Sequence, residues 1–357
     1  MHTFRIGHRE IGEKSPTYFI ADISANHDGD LGRAKRLVEL AKESGADAAK
    51  FQNFRAPEIV SPRGFETMGT RQGHQAAWKK SVFQVYTEAT IPWEWTPILK
   101  AHCEQVGIEY PATPYDFGAV EMLDPYVPAF KIGSGDITWP EMLSKIARKN
   151  KPVLLACGAS DSGDVRRAVE IIQAVNPKLC LMQCNTNYTG SADNFRHIHL
   201  NVLTAFRAMY PGIVLGLSDH SPGHVAVLGA VALGARVIEK HFTDDTTREG
   251  PDHPFSMTPQ TWREMVDSTR ELESALGDSI KKVEENEAET MVVQRRCIRA
   301  ARDLPAGIAL TREMLSVLRP APSDAIFPYD IDKVVGKRLG IDIAEGDYFT
   351  WEMLGEA

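Results

Sequence analysis

The 357-residue sequence has no run of about 18 consecutive apolar residues, so no membrane-spanning helix is expected. Its opening, MHTFRIGHREIGEKSP, lacks the apolar core of a secretory signal, so none is expected there. Cysteine is sparse: residues 103, 157, 180, 184 and 297 include no CxxC pair. That pattern argues against a disulfide framework or a thiolate zinc site and favours a reducing cytoplasm. Basic charge is not in excess either. Forty Lys and Arg against 48 Asp and Glu give a net charge of −8, unlike a nucleic-acid binder with a phosphate-neutralising stripe. A small anionic substrate stays possible, because local lysines can outweigh the total.

What the chain does have is a repeating alternation. Short apolar or β-branched runs end in polar residues, and helical patterns follow most of them. The strand candidates are 18–24, 46–52, 108–113, 129–134, 152–157, 179–184, 213–219 and 235–241. Asp30 is placed to cap a helix whose apolar face is Leu31, Ala34, Leu37, Val38 and Ala41, closed by Gly45. Residues 56–90 read as a long irregular insertion, and Pro92 as the first turn of the next helix. Eight strand–helix units in about 275 residues predict an α/β fold, a (β/α)8 TIM barrel over residues 1–277. A doubly wound sheet is second choice, since no GxGxxG follows the first strand. An acidic linker, 278–290, then leads to a small β-rich domain over 291–357.

Barrel chemistry gathers at the C-terminal strand ends. There the sequence offers Asp22, Asn26 and His27; Lys50 and Gln52; Thr113; Lys131, Ser134 and Asp136; Gln183, Asn185 and Tyr188; Ser218, Asp219 and His220; and Glu239, Lys240 and His241. Lys50 and Lys131 interrupt apolar strands, and a buried ammonium needs a carboxylate or an anionic ligand. Two structural ion pairs would satisfy them; so would a phosphate, with Ser134 and Ser218 as further donors. His220 and His241 end neighbouring strands and could share a divalent ion such as Mn2+ or Mg2+. A lone strand-end histidine is more often a satisfied polar residue, but here two stand beside acidic neighbours. His197 and His199 fall in an expected loop, and His2, His8, His74 and His102 read as surface residues. These residues suit metal-assisted activation of a carbonyl on a phosphorylated or carboxylated small molecule.

The strings ADISANHDGDLGRAKRLVELAKESGADAAKFQ, KIGSGD, LSDHSPG, GAVALGARVIEKHFT and GPDHPFSM resemble the sialic acid synthase family, in that family's order. The tail, with SVLRP, resembles its SAF or antifreeze-like domain. The resemblance implies a nonulosonic acid synthase that condenses phosphoenolpyruvate with an N-acylated aminohexose to a nine-carbon 2-keto-3-deoxy acid, releasing phosphate. It implies catalytic roles for Asp22, Lys50, Lys131 and Glu239. Phosphoenolpyruvate would be held by Lys50, Gln52, Thr113, Lys131, Ser134 and Ser218. The sugar would meet Asp136, Tyr188, Asp252 and Arg319, and His220 and His241 would bind the metal. Family members are dimers in which one subunit's small domain covers the other's site, so Arg319 would act across a domain-swapped homodimer.

Asp22 and Asp136 stand where the family has glutamate, Ala156 and Cys157 replace a Ser-Thr pair, and Thr186 replaces an asparagine. These changes cluster at the site and read as an altered sugar, such as a legionaminic acid precursor. The rival readings are another phosphoenolpyruvate-dependent sugar-acid synthase or metal aldolase, and a catalytically silent binding scaffold. Ice binding by the tail would need regular Thr-rich arrays, which 291–357 lacks.

Overall fold

Eight strands hydrogen-bond in parallel into a closed barrel in the computed structural model, which describes residues 3–68, 75–76 and 78–355. His2 and His74 lie outside the described residues. An antiparallel hairpin precedes the barrel, β1 (Phe4–Ile6) and β2 (Arg9–Ile11), turning at Gly7. The barrel strands are β3 (Tyr18–Asp22), β4 (Ala48–Asn53), β5 (Ala112–Pro114), β6 (Phe130–Ile132), β7 (Val153–Ala156), β8 (Leu179–Cys184), β9 (Val214–Asp219) and β10 (Ala235–His241). They pair in chain order, and β10 closes on β3.

Alternation along each strand sorts the side chains into two cores. Phe19, Ala21, Ala49, Phe51, Phe130, Ile132, Leu155, Leu181, Leu217 and Ile238 point outward and pack under the helices. Tyr18, Ile20, Ala48, Leu154, Cys180, Met182, Val214 and Val237 point inward, where Phe4, Ile6 and Ile11 of the hairpin join them. The hairpin therefore helps fill the barrel from its N-terminal end. Its two three-residue strands are too short for a periodic signal, and the sequence reading had no place for it. Gly216 lies in this interior because a Cβ there would meet the Val237 carbonyl at 2.8 Å and Met182 Cγ at 2.9 Å.

Helix α1 (Leu31–Glu43) starts where expected: Asp30 accepts a hydrogen bond from Arg33 N at 2.8 Å, and its buried face is Ala34, Leu37, Val38 and Ala41. Other expectations need correction. The insertion is not irregular throughout: among its described residues, short helices form at Ala56–Ile59, Pro62–Thr67 and Val82–Ala89. Ser61 and Ser81 cap two of them. The helix expected at Pro92 begins at Trp95, since residues 92–95 form a turn first. His197 lies on a short helix, Phe195–Ile198, rather than in a loop. His102 is mostly covered on its own helix and faces Glu39 at 3.3 Å. No described helix is long and apolar enough to cross a membrane, and all five cysteines are free and buried.

Residues 1–277 form one unit and 278–357 a second. In the second, a short helix (Ala288–Gln294) precedes two antiparallel two-stranded sheets. They are β11 (Cys297–Ala300) with β12 (Leu315–Leu318), and β13 (Arg338–Leu339) with β14 (Leu354–Gly355). Ile298, Leu304, Leu310, Leu315, Ile326, Val334 and Phe349 give it a core of its own.

The same alternation turns Asp219 and Lys240 away from the barrel axis. They form a buried ion pair at 2.5 Å, and Lys240 Nζ also donates to the Ser221 carbonyl at 2.7 Å. Removing one partner strands the other charge without solvent. Asp219→Ala should therefore lower the unfolding free energy by ~3–5 kcal/mol in urea titrations. A loss below ~1 kcal/mol would contradict a role for the pair in stability.

Candidate active site

At the C-terminal mouth the inward positions change from apolar to charged. One layer above the apolar core, Asp22, Lys50, Lys131 and Glu239 meet, and each is almost fully buried. Lys50 Nζ lies 2.7 Å from Asp22 Oδ2 and 3.8 Å from Glu239 Oε2, while Lys131 Nζ lies 2.9 Å from Glu239 Oε1. Thr113 Oγ1 accepts from Lys50, Gln52 Nε2 donates to Asp22, and Ser218 Oγ donates to Glu239. Burial alone would raise the Glu239 carboxyl, but Lys131 and Lys50 more than offset it and hold it below the usual carboxylate range. Burial likewise opposes the Lys50 ammonium, yet Asp22 and Glu239 keep it above its ordinary value.

These four charges floor a cavity at the mouth of the barrel. Its wall continues through Gln52, Thr113, Tyr115, Ser134, Ser218 and Tyr188 to the two histidines. The His220 and His241 rings are 5.4 Å apart, with Tyr188 packed 4.3 Å from His220. Burial, then the neighbouring His241, push His220 down to about 3, so its imidazole is neutral. His220 Nδ1 is 3.0 Å from the Asn185 carbonyl. A carbonyl only accepts, so Nδ1 carries the proton and Nε2 keeps its lone pair. Buried His241 Nδ1 has no hydrogen-bond partner; Asp252 Oδ2 lies 3.8 Å from it, and Asp22 Oδ2 lies 3.6 Å from Nε2. The pair therefore fits a divalent ion as two ligands. Among the described residues no three His, Cys, Asp or Glu side chains converge as a cage, so other positions would fall to water or substrate oxygens.

Comparison with known proteins gives this arrangement a lineage. Residues 37–281 match the NeuB family model and residues 295–355 the SAF domain model. The chain belongs to the NeuB family. It is 33% identical to human N-acetylneuraminate-9-phosphate synthase, over 97% of this chain and 95% of that protein. It is also 33% identical to N,N'-diacetyllegionaminic acid synthase of Legionella pneumophila, over 96% and 95%. The crystal structure of N-acetylneuraminic acid (sialic acid) synthetase from Leptospira borgpetersenii superposes with a TM-score of 0.71 at 27% identity, covering 81% of this chain and 95% of that one.

In this NeuB-family chain most of the residues singled out from sequence converge. Asp22, Lys50, Gln52, Thr113, Lys131, Ser134, Tyr188, Ser218, His220, Glu239 and His241 all line the cavity. Asp136 and Asp252 are not among the lining residues. Asp136 follows β6 on a 3-10 turn with Oδ2 buried and unpaired, and Asp252 accepts from Ser24 Oγ at 2.5 Å. Arg319 belongs to the second unit, exposed after β12. Gln183 turns outward and donates to the Ile198 carbonyl, and His27 packs against Trp95. Tyr115 was missed. It follows β5 and donates to Gln52 Oε1 at 3.2 Å, and its position after a strand end in PATPYDF was the available signal. Cys184 also lines the cavity, its thiol kept protonated by burial.

Burial raises the Asp136 carboxyl from 3.8 to about 6, only partly offset by Lys131. The folded chain therefore holds a proton that the unfolded chain has released, so stability falls as pH rises from about 4 to about 6. Asp136→Asn should remove that loss and gain ~1–2 kcal/mol at pH 7, partial exposure reducing the full linkage value. Urea unfolding at pH 4.5 and 7 measures it; a variant less stable than the parent at pH 7 contradicts it.

Proposed function

We propose that the chain condenses phosphoenolpyruvate with the open-chain form of an N-acylated aminohexose. With water, the products are a nine-carbon 2-keto-3-deoxy acid and phosphate. The supporting observation is the buried set Asp22–Lys50–Glu239–Lys131 beside two histidines, in a cavity walled almost wholly by polar groups. Two ammonium groups paired so deeply are ready to exchange a carboxylate partner for a phosphate or carboxylate of the substrate. Ser134, Ser218, Thr113 and Gln52 add neutral donors around the same point.

A divalent ion, Mn2+ or Mg2+, held by His220 and His241 would supply Lewis-acid polarisation of the sugar aldehyde. Lys50 and Lys131 hold the phosphoenolpyruvate so that its C3 faces the aldehyde carbon. The new C–C bond leaves positive charge at C2, which Asp22 and Glu239 stabilise. Water adds at C2, and a carboxylate takes its proton. Glu239, held ionised between two lysines, is a weak base, so the proton goes to Asp22 once phosphate has drawn Lys50 away from it. The hydroxyl at C2 then becomes the keto group as the C2–O bond to the phosphoryl group breaks. Its proton leaves with the phosphate, which takes the electron pair and is stabilised by the lysines, while Asp22 returns its proton to the alkoxide formed from the aldehyde oxygen.

The sugar is N-acetylmannosamine or a diacetamido-dideoxy relative, in keeping with relatives named for synthesis of N-acetylneuraminic and N,N'-diacetyllegionaminic acids. Ala156, on the cavity wall where the resemblance expects a serine, favours an altered sugar. Phosphate release measured beside 2-keto-3-deoxy acid formation, across such sugars with Mn2+, should give equal amounts for one member and nothing with EDTA. Silence across the panel would support a scaffold without activity. Lys131→Ala should raise the phosphoenolpyruvate KM at least tenfold, about 1.4 kcal/mol; an unchanged KM would make Lys131 purely structural.

The same proposal includes a cytoplasmic homodimer in which Arg319 of one subunit reaches the sugar bound by the other. Mixing Arg319→Ala and His241→Ala chains should then restore about a quarter of parental activity, because half the dimers carry one complete site. No recovery in well-mixed dimers would place Arg319 in the site of its own chain.

A further inference from the structure

Asp252 reaches the neighbourhood of His241 from a long loop, residues 242–257, that follows the last barrel strand. The ends of that loop are anchored: Phe242 packs on Trp262, and Phe242 pairs with Met257 as a parallel bridge. Its middle, 244–252, buries no apolar side chain. Something else must hold it.

A row of polar groups does so from the loop after the first barrel strand. His253, with no exposed surface, lies 2.7 Å from Thr243 Oγ1 through Nδ1 and 2.9 Å from Asp28 Oδ1 through Nε2. Asp28 also receives Arg248, through Nε at 2.9 Å and Nη2 at 2.7 Å, and Arg33 approaches it at 3.1 Å. An ionised Asp28 can only accept, so His253 Nε2 carries a proton, and Nδ1 pairs with the Thr243 hydroxyl, which can donate or accept. The order Thr–His–Asp matches that of a nucleophilic triad, but Thr243 and His253 are both fully buried and no substrate can reach them. Asp28 adopts φ +53°, an unfavourable left-handed conformation for a residue with a Cβ, and so does Ser24 at φ +45°. Each strained residue holds the far loop: Asp28 holds His253, and Ser24 Oγ donates to Asp252. Asn26 completes the seam, its Nδ2 donating to the Phe242 carbonyl and to Ser256 Oγ, both at 2.9 Å.

We propose that Asp28, His253 and Thr243 are positioning residues that fix Asp252 beside His241 and so set recognition of the sugar. The inference rests on the reading of Asp252 as a sugar contact. Thr243→Val keeps the shape but leaves His253 Nδ1 buried without its hydroxyl partner; Thr243→Ser restores the hydroxyl. Asp28→Asn tolerates the left-handed backbone while losing the charge that gathers Arg248 and Arg33.

The test combines amide hydrogen exchange over 244–252 with steady-state kinetics in both substrates on the full chain. Faster exchange in Thr243→Val and Asp28→Asn, a roughly tenfold higher sugar KM, an unchanged phosphoenolpyruvate KM and recovery in Thr243→Ser are expected. Unchanged exchange would overturn the clasp. So would faster exchange with parental sugar KM when Asp252→Ala itself raises that KM. If Asp252→Ala leaves the sugar KM unchanged, the sugar reading of Asp252 has failed instead, and the exchange comparison alone decides whether the clasp holds the loop.

Discussion

Two ammonium groups and two carboxylates, all nearly free of solvent, meet one layer above the apolar filling of the barrel. In formal charge they cancel. That balance permits burial, since any one of the four alone would be costly there. It also constrains what surrounds them. Thr113, Gln52 and Ser218 point inward to complete their hydrogen bonds, and the hairpin and apolar interior exclude water from below.

The strand period carries this layer. Because side chains alternate, Glu239 and His241 point into the cavity while Lys240 between them points out, and Ser218 and His220 do the same around Asp219. The outward Asp219–Lys240 pair thus ties β9 to β10 directly behind the two histidines. Register places His241 beside Asp22, and Asp22 beside Lys50. A slip of one residue on β10 would bring Lys240 into the cavity and expel both Glu239 and His241.

Much of this was legible in the sequence, for a physical reason. A charged residue inside an apolar strand is expensive, so Lys50 in AAKFQ and Lys131 in FKIGS mark a place where something compensates them. The strand ends were legible because buried parallel strands are short apolar runs with sharp polar boundaries. The bounds of β8 and β10 match the sequence reading residue for residue. What the sequence did not reveal depends on contacts between distant segments. Asp28 and His253 are 225 residues apart, and neither stands out until the barrel closes. The helices of the insertion were hidden because they are four to eight residues long, too short for a period to appear. Tyr115 was passed over because it stands just beyond a strand with three paired residues.

The proposed reaction requires the buried lysines to exchange their carboxylate partners for the substrate's anion. Determining the structure of the full chain with phosphoenolpyruvate bound tests this directly. Phosphate or carboxylate oxygens are expected within hydrogen-bonding reach of both Lys50 Nζ and Lys131 Nζ, with the Lys50–Asp22 contact lengthened. Phosphoenolpyruvate bound elsewhere, with both ion pairs unchanged, would contradict it.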